Sequence, residues 1–132
     1  MPEQPPPLLE GMLIHYDGRR FRKVTAGPDA PIAHYRQQGD LLWGSSAGGD
    51  VRRGSLTGVA APDGTLTFAY TMVLTSGRTV AGHCVSVPEV LPDGRVRLHE
   101  TWERYGPDAA TGTSCIEELA ATDPLIEQGP SS

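Results

Sequence analysis

Tight-turn signals recur along this chain at Asp17-Gly18, Gly48-Gly49, Asp63-Gly64, Ser76-Gly77 and Asp93-Gly94. Each pair suits a hairpin turn, because glycine takes a positive φ without steric penalty and aspartate or serine folds back on the local backbone. Between the signals lie short runs rich in β-branched and aromatic residues: Met12 to Tyr16, Arg20 to Thr25, Ile32 to Gln38, Leu41 to Ser46, Val51 to Ala60, Thr65 to Leu74, Arg78 to Val87, Arg95 to Tyr105 and Thr113 to Leu119. No window carries a helical period long enough to compete. The pattern predicts an all-β fold, an antiparallel up-and-down β-barrel of about eight strands, a number that leaves an interior for side chains or one small ligand.

A chain of 132 residues has room for one core. Residues 1–10, with Pro2, Pro5, Pro6 and Pro7, read as a disordered leader, residues 11–121 as the barrel and residues 122–132 as a flexible tail. A formal net charge of −5 argues against nucleic acid as a partner, since phosphate backbones are gripped by basic surfaces. The basic run Arg19-Arg20-Phe21-Arg22-Lys23 then reads as a solvated strand or as a partner for acidic groups. No apolar stretch is long enough to span a bilayer, and the first residues lack the order of a secretory signal, so a cytoplasmic protein with no membrane partner is expected. In that compartment Cys84 and Cys115 are expected as free thiols. No phosphate loop, nucleophile elbow or metal-ligand motif occurs, and His15, His34, His83 and His99 fall on different segments, so no cofactor and no metal are expected.

Treating Asp63-Gly64, Ser76-Gly77 and Asp93-Gly94 as two-residue turns fixes a register. One row across four strands is then Thr57, Tyr70, His83 and Arg104, flanked by Val59, Phe68, Val85, Trp102, then by Ala61, Leu66, Val87, Glu100, and on the other side by Ser55, Met72, Ala81. That face is apolar and aromatic and is assigned to the interior. Leu56, Val73 and Val80 are left as apolar exceptions outside, where they offer a contact between two barrels in a homodimer.

The interior so drawn is mostly apolar with a few placed polar groups, the usual profile of a small-molecule site. Tyr70, His83 and Glu100 are the candidate catalytic residues; Arg53, Thr57, Phe68, Met72, Trp102 and Arg104 are the candidate ligand-binding residues. Tyr70 beside His83 reads either as a proton donor or orienting pair, or as a satisfied core histidine. Glu100, with Glu89 diagonal to it, reads either as a carboxylate of raised pKa or as half of an internal ion pair with Arg53 or Arg104. Phe68 and Trp102 either stack on a ligand or fill the core.

Phe21-Arg22, Leu42-Trp43, Gly54-Ser55-Leu56-Thr57-Gly58, Gly82-His83-Cys84 and above all the stretch from Pro88 to Trp102, with the closing Glu117-Glu118, resemble a family of small bacterial avidin-like, calycin-like barrels. The resemblance covers roughly Leu13 to Leu119. It implies a closed eight-stranded barrel with a mouth at one end, and it brings no agreed catalytic residues. Members are often labelled N-acetylglutamate synthases, yet an acetyltransferase of the usual kind needs a helix N-terminus to receive a pyrophosphate, and no such helix is visible in this sequence. The expected function is binding of a largely apolar small molecule in the interior. The alternatives are a ring-closing cyclase or an isomerase working in the same pocket, and a structural or interaction module.

Overall fold

The computed structural model describes residues 14–24, 27 and 29–120. They form eight strands: β1 (Arg20–Lys23), β2 (Ile32–Gln38), β3 (Leu41–Gly48), β4 (Val51–Ala60), β5 (Leu66–Leu74), β6 (Thr79–Val90), β7 (Val96–Arg104) and β8 (Ala110–Glu118). Every neighbouring pair is antiparallel and β1 also pairs with β8, closing the barrel. The only other regular element among the described residues is one 3₁₀ turn, Gly106–Asp108. The run expected at Met12 to Tyr16 forms no strand in its described part, Ile14 to Tyr16. The leader and tail expectations lie outside the described residues.

The hairpins differ from expectation by one residue each. Ala61 N–H donates to the Thr65 carbonyl at 2.8 Å and Gly64 N–H to the Ala61 carbonyl at 2.9 Å, so the loop is Pro62-Asp63-Gly64. The same two bonds close Thr75-Ser76-Gly77 and Pro92-Asp93-Gly94. Gly64, Gly77 and Gly94 have φ of 91°, 92° and 91°. Each loop is therefore three residues long, a type I turn followed by a glycine in the left-handed region. Asp63, Ser76 and Asp93 each accept the N–H two residues on, which fixes the turn.

Three extra residues shift three registers. Leu56 pairs with Tyr70, Tyr70 with Gly82 and Gly82 with Arg104, replacing the expected row of Thr57, Tyr70, His83 and Arg104. A shift of one residue turns a strand over. In β4 and β6 the inner positions are therefore Leu56, Gly58 and Ala60, and Val80, Gly82, Cys84 and Ser86. Leu56 and Val80 are buried inside and not left on the outer wall. The apolar residues that are exposed include Leu41, Val59, Val87 and Val90.

Inside, small and large residues alternate across strands. Phe68 lies opposite Gly58, Tyr70 opposite Gly82 and Trp102 opposite Gly112. A Cβ on Gly112 would stand 2.5 Å from the Trp102 ring, so the ring lies flat on bare backbone. One end of the barrel is floored by Tyr16, which packs on Phe21 and Tyr35 at centroid distances of 6.4 and 6.3 Å. Its hydroxyl donates to the Gly64 carbonyl at 2.7 Å, and its backbone N–H donates to Gln37 at 2.8 Å. Leu42, Leu66, Val96 and Leu98 complete this dry end.

The β1–β8 seam pairs Phe21 with Glu118, Arg22 with Glu117 and Lys23 with Ile116. Glu118 accepts from Arg19 at 2.8 Å and from the Val96 N–H at 3.0 Å. Glu117 accepts from two nitrogens of Arg97 at 2.9 and 2.6 Å, and that guanidinium holds its carboxyl below the usual carboxylate range. Part of the basic run thus serves acidic partners at the closure.

Gly58→Ala would drive a Cβ into the Thr67 carbonyl and Phe68 on the neighbouring strand. The variant is expected to lose about 1–3 kcal/mol of stability, measured as a lower urea midpoint with an unchanged m value.

Candidate functional site

Turning over β4 and β6 separates the expected site residues into two groups. Tyr70, Phe68, Met72, Glu100, Trp102 and Arg104 remain on inner positions of β5 and β7. His83, Thr57 and Arg53 fall on the outer wall: His83 pairs with Glu103, Thr57 with Ala69 and Arg53 with Val73. The pair Tyr70 and His83 does not form. Tyr70 instead donates to the Glu103 carbonyl at 3.3 Å. Glu89 is outside as well, 2.8 Å from His99, so the expected diagonal of Glu89 and Glu100 is absent for the same reason.

The inner surface of β5 to β8 can be read in rows. Nearest the mouth are Tyr70, Gly82 and Arg104; below them Phe68, Cys84, Trp102 and Gly112; below those Leu66, Ser86, Glu100 and Ser114. Arg104 stacks over Trp102, with its guanidinium carbon 5.8 Å from the ring centroid. Burial raises the Tyr70 hydroxyl and the neighbouring Arg104 cation draws it back.

Glu100 is the one ionisable carboxyl in these rows. Ser86 and Ser114 flank it on the adjacent strands. The Ser114 hydroxyl donates to Oε1 at 2.8 Å, and the Cys84 thiol points at Oε2 from 3.8 Å. Neither Arg53 nor Arg104 pairs with it; Arg53 is on the other side of the wall. Burial raises the Glu100 pKa, against the lowering effects of Ser114, the Lys23 charge, Cys84 and Ser86. The carboxylate in turn helps to push the Cys84 thiol, already raised by burial, up to about 12. Across the barrel the Tyr35 hydroxyl is raised by its full burial and, to a lesser degree, by Glu100.

Glu100, Ser114, Trp102, Tyr70 and Ile116 are only partly buried although they face inward, whereas Leu42, Leu66, Tyr35 and Leu98 on the floor and opposite wall are sealed. The inward-facing residues of β7 and β8, Glu100 included, thus keep some exposure that the floor and the opposite wall do not. Cys84, Ser86, Ser114 and Ile116 belong to this site and were not among the expected residues. Their signal was strand parity, which the loop lengths set. Among the described residues no group of three or more His, Cys, Asp or Glu is arranged to hold a metal.

A separate groove of about 510 Å³ lies at the rim. Arg53, Thr71 and Ala81 line it from the outer wall, Met72 and Val80 from the strand ends, and Tyr105 to Pro107 from the β7–β8 connection. Arg53 serves this groove and not the lumen.

The sequence model of a family described as Avidin-like protein matches residues 14–119. No curated protein matches the chain.

A carboxyl whose pKa is raised on folding binds its proton more tightly in the native state. Its contribution to stability is complete below the unfolded carboxylate range and declines as pH rises through the folded value. Glu100→Gln removes that decline. Its melting temperature is expected to exceed wild type at pH 7, and the difference to close as pH falls below about 4.3, the ordinary glutamate value.

Proposed function

Because the chain belongs to the avidin-like family, we propose that it binds a small molecule in the barrel lumen. The ligand's largely apolar body rests on Trp102, Phe68 and Met72, and one of its N–H or O–H groups meets Glu100. The observation that carries this reading is the carboxyl itself: inward-facing, desolvated, given one short hydrogen bond by Ser114 with weaker help from Cys84 and Ser86, and not fully buried. A residue that only filled the core would serve better as leucine or glutamine, since a desolvated carboxylate with few partners is unfavourable. Arg104 and Tyr70, nearer the mouth, suit a carbonyl or anionic group at the other end of the ligand.

The cyclase or isomerase reading uses the same residues. Its support is narrower than the sequence suggested, because His83 lies outside and Glu100 with Tyr70 would have to handle every proton. A carboxyl of raised pKa suits that work in principle. The binding reading requires no proton transfer and is preferred.

Native mass spectrometry of freshly purified protein is expected to show a non-covalent adduct of small-molecule mass. Glu100→Gln should weaken the captured ligand by about 10-fold, the effect of losing one charge-assisted hydrogen bond. Trp102→Phe should abolish the ligand-dependent fluorescence change that Trp43→Phe retains, Trp43 standing on the outer wall beside Arg36. Turnover of the ligand by wild type, lost in Glu100→Gln, would favour the enzyme. Failure of any small molecule to perturb Trp102 would leave a structural module.

A further inference from the structure

On the outer wall of β6, β7 and β8, away from the lumen, three side chains form a relay. Cys115 lies directly opposite His99 across the β7–β8 pair, with Sγ 3.9 Å from Nδ1. The other ring nitrogen, Nε2, is 2.8 Å from Oε1 of Glu89. An ionised carboxylate only accepts, so Nε2 carries the ring proton and Nδ1 turns its lone pair toward the thiol. Arg97 stands 3.8 Å from the same Glu89 oxygen and steadies it. Cys115 is free and partly exposed; Cys84 is free but buried on the inner face. Thiol, imidazole and carboxylate in that order are a nucleophile, its base and the group that orients the base.

We infer that Cys115 is a site of S-thiolation, reacting with low-molecular-weight disulfides by exchange assisted by His99. Nδ1 takes the S–H proton as Sγ attacks one sulfur of the disulfide. The disulfide bond of the reagent breaks, a mixed disulfide to Cys115 forms, and the departing thiolate recovers the proton from the imidazolium. Cys115 is oxidised, half of the reagent is reduced to a thiol, and no further reactant enters.

The surroundings explain why the base matters. Burial raises the Cys115 thiol, Arg97 lowers it, and Glu117, Glu100 and Glu89 raise it again. On the β1 side Arg22 faces Glu117, and Val24 donates its backbone N–H to the Cys115 carbonyl. Little thiolate stands ready, so removal of the proton at the moment of attack governs the rate.

The test is exchange with dithiodipyridine, a neutral disulfide, followed by release of the coloured thione and by peptide mass mapping of the folded protein. Cys115 is expected to be labelled and Cys84 spared. His99→Gln should slow labelling on the order of 100-fold, with melting temperature unchanged because the ring is exposed. Glu89→Gln should slow it less. An unaltered rate in His99→Gln or labelling of Cys84 first would overturn the inference.

Discussion

Everything in this molecule depends on closing the sheet between β1 and β8. The other pairings join consecutive strands, but the seam brings together residues as far apart as Arg19 and Glu118, separated by 99 positions. Its strand pairing is short and is extended by the Arg19–Glu118 ion pair and by the bonds from the Val24 N–H to the Cys115 carbonyl and from the Leu119 N–H to the Arg20 carbonyl, while from the β7 side the Val96 N–H holds Glu118 and Arg97 and Arg95 hold Glu117. Isolated surface ion pairs contribute little, but these are partly buried, share partners and include a doubly bonded guanidinium. Without the seam β1 and β8 would be open edges, and the inner faces of both would meet water.

The closed barrel organises its two walls by opposite rules. The inner wall pairs rings with glycines, so that Tyr70 and Trp102 lie close to the backbone of the next strand. Among the outer-wall residues, charge collects on β7, β8 and the segments beside them, where the hydrogen-bonded pairs Arg97–Glu117 and His99–Glu89 are joined by an Arg97–Glu89 ion pair. Glu100 and Cys115 sit on the two sides of that same pair of strands. Glu100 helps to raise the Cys115 thiol through the wall, although one faces the lumen and the other faces solvent.

How much of this was legible in the sequence can be traced to single residues. Strand positions followed from the glycine turns, and β2 and β4 were placed at their observed bounds. The facing of β4 and β6 was misread because Asp63-Gly64, Ser76-Gly77 and Asp93-Gly94 were counted as two-residue turns. Pro62 and Pro92 carried the correcting signal: proline suits the first corner of a type I turn, but as a strand-end residue it would lack the N–H that closes the ladder. Outer-wall valines concealed the error, since Val85 and Val87 on β6 look like core by composition alone. Two successive slips cancel, which is why Phe68, Tyr70, Leu98, Glu100 and Trp102 were placed correctly while His83, Thr57 and Arg53 between or before them were not. Ser86 and Cys84 were missed for the same cause.

The Tyr16 floor makes the barrel a blind tube. With Tyr16 fully buried and anchored to Gly64, a ligand bound as proposed would have to enter from the opposite end. Entry and exit then share one path, so exchange proceeds in single file. The end of a solute that passes Arg104 first is the last to leave, and any loop movement that narrows the mouth slows arrival and departure by the same factor, changing residence time without changing affinity.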